Sequence, residues 1–476
     1  MAKRTKKTKE EYYGDHLEKT YNDLNNVSPS FCVAKWKQVT LHLQNGHTHS
    51  CHHPGTHLVP IEELRRNPTA LHNTEFKKQQ RKLMLAGLRP PECDYCWRAE
   101  DSGNKFSDRT YKSADVSWAY NHIQDIANKP WDDNVDPSYV EISFSNVCNF
   151  KCSYCSPNIS SQWMEEIERF GPYPTSSNFN NLEWFKQNQQ MPIPNNQDNP
   201  YVDAFWEWWP TMYNELKQFR ITGGEPLLNK NTFKVLDYII ENPNPNLTFS
   251  VNTNMNVPDE LYNKFIEKLK IIQEGKKVMH LQIFTSAEAH GAQAEYIRYG
   301  MNYQQWLDNI ERMINEVPSA AISIMSTYNL LSVPSYTKFL DDILQLRLKY
   351  RHIAYDQHRT PIVLDMPYLR YPDHQASYIM PESLLHYVEE QLKFMEDHQE
   401  SSVPGEEYTG YYEHEIYKLR RIYNIIQNEL RNPNANITTQ RKDFVAFVDE
   451  HDRRRGTNFK ETYPELMDMY NQFKAL

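Results

Sequence analysis

The stretch Val140-Glu141-Ile142-Ser143-Phe144-Ser145, followed closely by Cys148-Asn149-Phe150-Lys151-Cys152-Ser153-Tyr154-Cys155, decides how this chain reads. The first six residues alternate apolar and polar side chains, the period of a half-buried strand. The cysteines therefore stand on a loop leaving the C-terminal end of a strand. In a barrel of alternating strands and helices, that end carries the chemistry. Three thiolates on one short loop can hold three irons of a four-iron cluster. The fourth iron stays open to an external ligand, which suits a cluster that binds something rather than one that only relays electrons.

Working outward, a second strand-like stretch, Gln218-Phe219-Arg220-Ile221-Thr222, runs into Gly223-Gly224-Glu225-Pro226. The chain holds only 14 glycines in 476 residues, about 3% against a usual 7%, so two adjacent ones carry weight. Glycine lets backbone come close to a ligand, and a carboxylate can accept hydrogen bonds from an ammonium group. Residues 247–254 and 281–286 read as further strands ending in polar residues, and 320–327 and 361–366 as the fifth and sixth. Between them, Leu261, Phe265, Leu269 and Ile272 mark an amphipathic helix entered by Pro258. Trp306, Ile310, Met313 and Val317 mark a second. Six strand–helix units argue a parallel sheet with right-handed crossovers.

In these motifs the sequence resembles the radical S-adenosylmethionine (SAM) superfamily. The three-cysteine run, with the aromatic Tyr154 just before its last cysteine, and the Gly-Gly-Glu-Pro turn after the next strand carry the resemblance. It implies an α/β fold: a partial (β/α)6 TIM-like barrel over 138–375, open enough to admit a substrate larger than a metabolite. It implies a [4Fe–4S] cluster on Cys148, Cys152 and Cys155, with SAM on the open iron. Gly223, Gly224, Glu225 and Pro226 would hold the SAM amino group. Tyr154, Asn254, Ser286 and Arg298 are further implied SAM contacts, Arg298 near the SAM carboxylate. The implied reaction is reductive cleavage of SAM to a 5′-deoxyadenosyl radical that takes hydrogen from substrate. The class of substrate is a peptide, protein or small molecule, and the electron comes from an external flavodoxin- or ferredoxin-like donor.

Four more cysteines lie upstream: Cys32, Cys51, Cys93 and Cys96. The Cys32–Gly46–Cys51 spacing is similar to the opening of the SPASM and twitch auxiliary-cluster domains of radical SAM enzymes. Four cysteines and no more resemble the twitch type, and imply one fully ligated auxiliary [4Fe–4S] cluster serving electron transfer or structure. In those enzymes the auxiliary domain commonly follows the barrel; here it precedes it. A four-sulfur zinc site is the alternative, although the first pair is stretched for zinc. Residues 31–36 and 41–43 read as a strand pair turning at Asn45-Gly46, and 76–87 as a basic helix closed by Gly87. His42, His47, His49, His52, His53 and His57 surround Cys51 and read mainly as a polar hairpin, with a second metal site as the sharper reading.

Composition sets the outer bounds. Lys+Arg 52 against Asp+Glu 62 gives a formal charge of −10, a poor balance for sequence-independent nucleic-acid binding, which runs on phosphate neutralisation. Apolar residues at 39% and aromatics at 13% are enough for large cores. No apolar run approaches the roughly 18 residues of a membrane helix and no secretory signal is visible, so the expected setting is the cytoplasm, where thiols stay reduced. The expected organisation is a basic flexible tail at 1–25, an auxiliary domain at 26–110, a linker at 111–137, the barrel at 138–375 with an Asn/Gln/Pro-rich insertion at 171–204 as a lid, and a helical extension at 376–476. Phe205-Trp206-Glu207-Trp208-Trp209 reads as core packing. Opposed to the enzyme stands a non-catalytic binding module stabilised by iron–sulfur or zinc.

Overall fold

The computed structural model describes residues 9–353, 362–400 and 410–476. Its strands are β1 (Gln38–His42), β2 (His47–His49), β3 (His57–Leu58), β4 (Tyr139–Ser143), β5 (Lys151–Cys152), β6 (Gln218–Thr222), β7 (Asn244–Asn252), β8 (Val278–Thr285), β9 (Arg298–Tyr299), β10 (Ala320–Met325) and β11 (Ile362–Asp365). The chain forms two compact units. The first takes the chain up to Ser145 together with Pro192–Thr222 and Asn244–Phe249; the second takes Asn146–Met191, Gly223–Pro243 and Ser250–Leu476. The six strands expected after residue 138 are β4, β6, β7, β8, β10 and β11, and helices separate them along the chain. Pro361 lies outside the described residues.

In the first unit the strand order is β3-β2-β1-β4-β6. β1 runs parallel to β4, and β4 parallel to β6, with His42, Ser143 and Thr222 in one row at their C-terminal ends. Alternation sorts the faces. Val39, Leu41, Val140, Ile142, Phe219 and Ile221 are all fully buried. The helix Pro200–Glu215 starts at Asn199, whose side chain accepts from the Tyr201 and Val202 N–H groups. It brings Phe205 and Trp209 against Phe219, at ring-centroid distances of 6.4 and 4.8 Å. Each such side chain contributes about 1.5–3 kcal/mol by leaving water, so Phe205, Trp208 and Trp209 of this run are core, while Trp206 is half-buried and Glu207 exposed. Gly46 makes the β1–β2 turn at φ +71° with the Tyr201 ring so close that a Cβ would overlap it.

The second unit carries β8, β10 and β11 as parallel neighbours, Ile322 pairing with Ile283 and Ile362, with the end of β7 beyond β8. Helices Lys230–Glu241, Asp259–Glu274, Tyr303–Glu316 and Tyr336–Lys349 intervene, and Leu385–Asp397, Glu413–Arg431 and Ile437–Arg455 form the C-terminal extension. A buried ion pair fastens that extension to the helix Tyr336–Lys349, and its carboxylate also holds the last strand. Arg347 and Glu415 side chains are both 0% exposed and pair in a fork, at 2.7 and 3.0 Å, while Glu415 also accepts the Leu364 N–H of β11 at 2.9 Å. Removing one member of such a pair strands the other charge, at about 3–5 kcal/mol. Glu415→Ala should lower the stability of this unit by that amount in urea unfolding, and adding Arg347→Met should recover part of it; a single variant as stable as wild type would contradict the clamp.

Several expectations change. The tail expected to be flexible is helical over Lys9–Val27, with Leu17 and Leu24 buried; residues 1–8 lie outside the described residues. Residues 31–36 are not a strand: Ala34–Lys37 is a helical turn and β1 starts at Gln38. The N-terminal region is not a separate layer, because β1 joins β4 directly, and the compact units cut across the expected divisions at 110, 138 and 375. The insertion at 171–204 contains the helix Leu182–Gln187. In the second unit Ser176 donates to Asp443 and Arg454 to the Gly171 carbonyl. In the first unit the Ile193 N–H bonds to the Gln44 carbonyl.

Candidate functional site

The loop after β4 is closed on itself by the helix Ser161–Phe170. Ser160 caps that helix, accepting the Trp163 N–H, and donates its own hydroxyl to the Phe150 carbonyl at 2.8 Å. Cys148 N–H donates to Ser161 Oγ at 3.2 Å and Trp163 Nε1 to the Cys152 carbonyl at 2.8 Å. Downstream, β5 pairs with β9, setting Cys152 opposite Arg298. Cys148, Cys152 and Cys155 are free, partly buried thiols. Burial and then the neighbouring Cys152 push Cys155 up to about 12, the same two causes raise Cys148, and burial raises Cys152 although Arg298 opposes it.

The Gly-Gly-Glu-Pro turn meets this loop. Glu225 N–H donates to the Val147 carbonyl at 2.7 Å, and Gly224 lies so close to Val147 that no Cβ fits. Gly223 sits at φ +128°, a conformation open to glycine. The Glu225 side chain is 2% exposed and accepts from Leu227 N–H at 3.0 Å, Thr253 Oγ1 at 2.8 Å and Asn254 N–H at 2.7 Å. Its carboxylate is therefore largely spent on holding the turn to the end of β7. Pro226 continues the turn as the first residue of a short 3-10 helix. Asn254 also donates to Asn149 Oδ1 at 2.8 Å, tying that strand end to the cysteine loop. Ser286 follows β8 and is half-buried.

Burial pushes Glu225 up to about 7, against the hydrogen bonds that favour its charged form. The folded state thus holds a proton that the unfolded chain, titrating near 4.5, has released, so stability falls as pH rises from about 4.5 to 7. The neutral buried His374 and His451, lowered by burial to about 3 and 4, act oppositely: below pH 6.5 the unfolded chain gains protons there that the folded one refuses. The Glu225 contribution is isolated by difference. Wild type minus Glu225→Gln should lose stability from pH 4.5 to 7 in thermal unfolding, and a flat difference would refute the assignment.

Other residues at this site have weaker sequence signals or none. Arg298 is framed by Glu288 and Tyr154 and reaches Cys152 Sγ at 3.7 Å. From the last turn of helix Ile437–Arg455, Arg455 donates to the Lys151 carbonyl at 2.6 Å and pairs with Glu166 at 3.1 Å, and its guanidinium lies over Trp163, 4.7 Å from the ring centroid. Burial opposes charge on Glu166, but Arg455 holds it at about 2. The sequence does carry Arg453-Arg454-Arg455-Gly456, yet nothing local says which arginine turns inward. Glu288 has no local signal at all.

The residues fit a four-iron cluster with SAM. Three thiols whose ionisation burial resists need a cation to become thiolates. Ser153, between two of them, is 0% exposed, and its Oγ has no hydrogen-bond partner among the described residues. Among the described residues no three His, Cys, Asp or Glu side chains are grouped as ligands of one metal ion.

The four upstream cysteines also converge, within the first unit. Cys32, Cys51, Cys93 and Cys96 line one small pocket together with Lys35, Ser50 and Arg109. Burial pushes Cys93 and Cys96 up to about 12. Lys35, buried and paired with Glu92, lowers Cys93, and the Ser50 Oγ that borders the pocket has no partner among the described residues. Five of the six surrounding histidines are hydrogen-bonded: His47 to Thr56, His53 to Asp108, His57 to Thr74 and His49 to His42.

Fold and site together define an α/β protein whose thiol loop and glycine turn, each following a parallel strand, meet one another. Residues 142–340 match the model of the Radical SAM superfamily, so this stretch is a radical SAM domain. That superfamily consists of enzymes and implies a [4Fe–4S] cluster and SAM. A search of curated proteins found no match to the chain. Among the described residues no helix is long and apolar enough to cross a membrane.

Proposed function

We propose that this chain is a radical SAM enzyme that cleaves SAM reductively to act on a peptide, protein or small molecule. The observation that carries the reading is the closure of the glycine turn onto the loop bearing Cys148, Cys152 and Cys155, through the Glu225 N–H to Val147 carbonyl bond. The three cysteines would hold the cluster, which when bound supplies the electron that splits SAM into methionine and a 5′-deoxyadenosyl radical for hydrogen abstraction. Gly223 supplies the positive φ of the turn and Gly224 lets it pack directly on the Val147 carbonyl, which brings the turn to the loop where SAM would lie. Glu225 fixes the turn and offers a remaining lone pair toward the SAM ammonium; Asn254 and Ser286 stand at strand ends for further polar contacts. Trp163, 0% exposed beneath the loop, keeps water from it. The cavity of Cys32, Cys51, Cys93 and Cys96 would hold an auxiliary, fully ligated [4Fe–4S] cluster of the twitch kind, a relay for electrons leaving or entering substrate. The electron donor is flavodoxin- or ferredoxin-like.

Anaerobic reconstitution with iron and sulfide should load about eight irons per chain, four per cluster, and SAM with dithionite should then yield 5′-deoxyadenosine. Zinc near two per chain without that product would instead make the chain a metal-stabilised binding module.

A further inference from the structure

Arg298 stands directly across from Cys152 in the β5–β9 pair and is 7% exposed. A guanidinium has five N–H donors in a fixed fork. Here Nε and Nη2 donate to Glu288 Oε2 at 2.9 and 2.6 Å, Nη2 also donates to the Tyr154 hydroxyl at 2.5 Å, and Nη1 reaches Cys152 Sγ at 3.7 Å. The Tyr154 hydroxyl donates onward to Glu288 Oε1 at 3.2 Å, and the Glu288 side chain is 1% exposed. Four of the five donors are thus committed within the frame, and one of these points at sulfur. A guanidinium so held cannot swing out to serve as a carboxylate clamp.

We propose that Arg298 is a positioning residue for the Cys152 thiolate: it donates an N–H···S bond that raises the reduction potential of the cluster held there, and it is not the SAM carboxylate ligand. The inference rests on the cluster reading above. Reduction adds one electron from the external donor, and no bond is made or broken. The added negative charge spreads onto the thiolate sulfurs, where a donor hydrogen bond favours the reduced form, the lever by which outer partners tune such clusters. Glu288 offsets part of the cation's charge, so the directed hydrogen bond carries most of the effect. Tyr154, through its hydroxyl, locks the fork from the other side.

The test uses the full chain, reconstituted anaerobically and titrated redox-wise without SAM while the cluster is followed by electron paramagnetic resonance. The signal read is the component missing from Cys152→Ala. Two variants are compared with wild type: Arg298→Met combined with Glu288→Gln, which leaves no orphan charge, and Arg298→Lys, which keeps the cation but loses the fork. Both should show a more negative midpoint, the double variant more so, with SAM affinity changed by less than about threefold, well below the 10–100-fold typical of lost direct or outer-shell ligands. An unshifted midpoint in both variants, or a SAM affinity falling tenfold or more with the midpoint in place, overturns the inference. A wild type with no four-iron signal assignable to Cys152 overturns the cluster reading itself, which separates the two failures.

Discussion

Cys152→Ala should abolish 5′-deoxyadenosine formation, with product falling at least about 100-fold, more than outer-shell losses alone would cause. The residue has three ties at once. Its carbonyl takes the Trp163 indole N–H, its backbone pairs with Arg298 on β9, and its sulfur faces the Arg298 guanidinium. The substitution leaves the first two untouched, so the loop keeps its course. What disappears is one of the three proposed iron ligands, together with the acceptor of the Arg298 N–H. Iron should drop by about four per chain, while the four-cysteine cavity of the first unit keeps its share. Cys152→Ala with undiminished product would remove the basis for radical chemistry at this loop.

Gly224→Ala should be nearly as damaging without touching a ligand. A Cβ at Gly224 would overlap the carbonyl group of Val147 and press on the Asn146 oxygen at 2.8 Å. All the opposing atoms are backbone, so no side chain can turn aside. The Glu225 N–H to Val147 bond pins the same two segments together, and the clash can be relieved only by pushing 146–148 away, which displaces Cys148. Overpacking of this kind costs about 1–3 kcal/mol, small against the stability of the whole chain, but a shift of about 1 Å at a reacting centre can cost 100-fold in rate. The variant should therefore fold, by circular dichroism, and lose about two orders of magnitude in SAM cleavage. Wild-type cleavage would mean the turn and the cysteine loop do not form one site.

The cysteine loop, the glycine turn and the six strand–helix alternations were legible because each is written in covalently neighbouring residues. The period of Val140, Ile142 and Phe144, the stripe of Trp306, Ile310 and Met313, and the cap residues are decided within a few positions of themselves. Local pattern went astray at residues 31–36, where alternating apolar side chains serve a helical turn buried on all sides; Ala34, Lys35, Trp36 and Lys37 are all buried. Periodicity cannot separate a short fully buried strand from a short buried helix. The helical Lys9–Val27 was masked by its many charges; Asp15 and Lys19 are exposed while Leu17 and Leu24 are buried.

By itself, then, the sequence determined the kind of chemistry this chain is equipped for: three thiols on one loop, a glycine turn one strand later, and four further thiols upstream. Only the tertiary structure decided the partners. It spent the Glu225 carboxylate on Thr253 and Asn254, aimed Arg298 at Cys152 inside a frame of Glu288 and Tyr154, drew Arg455 in from the last long helix, and set β1 beside β4. The physical reason is one of range. Backbone dihedrals and side-chain period are fixed by neighbours along the chain, but a buried charge or hydrogen-bond donor must be matched wherever the fold brings a counterpart, and that counterpart can stand more than a hundred residues away.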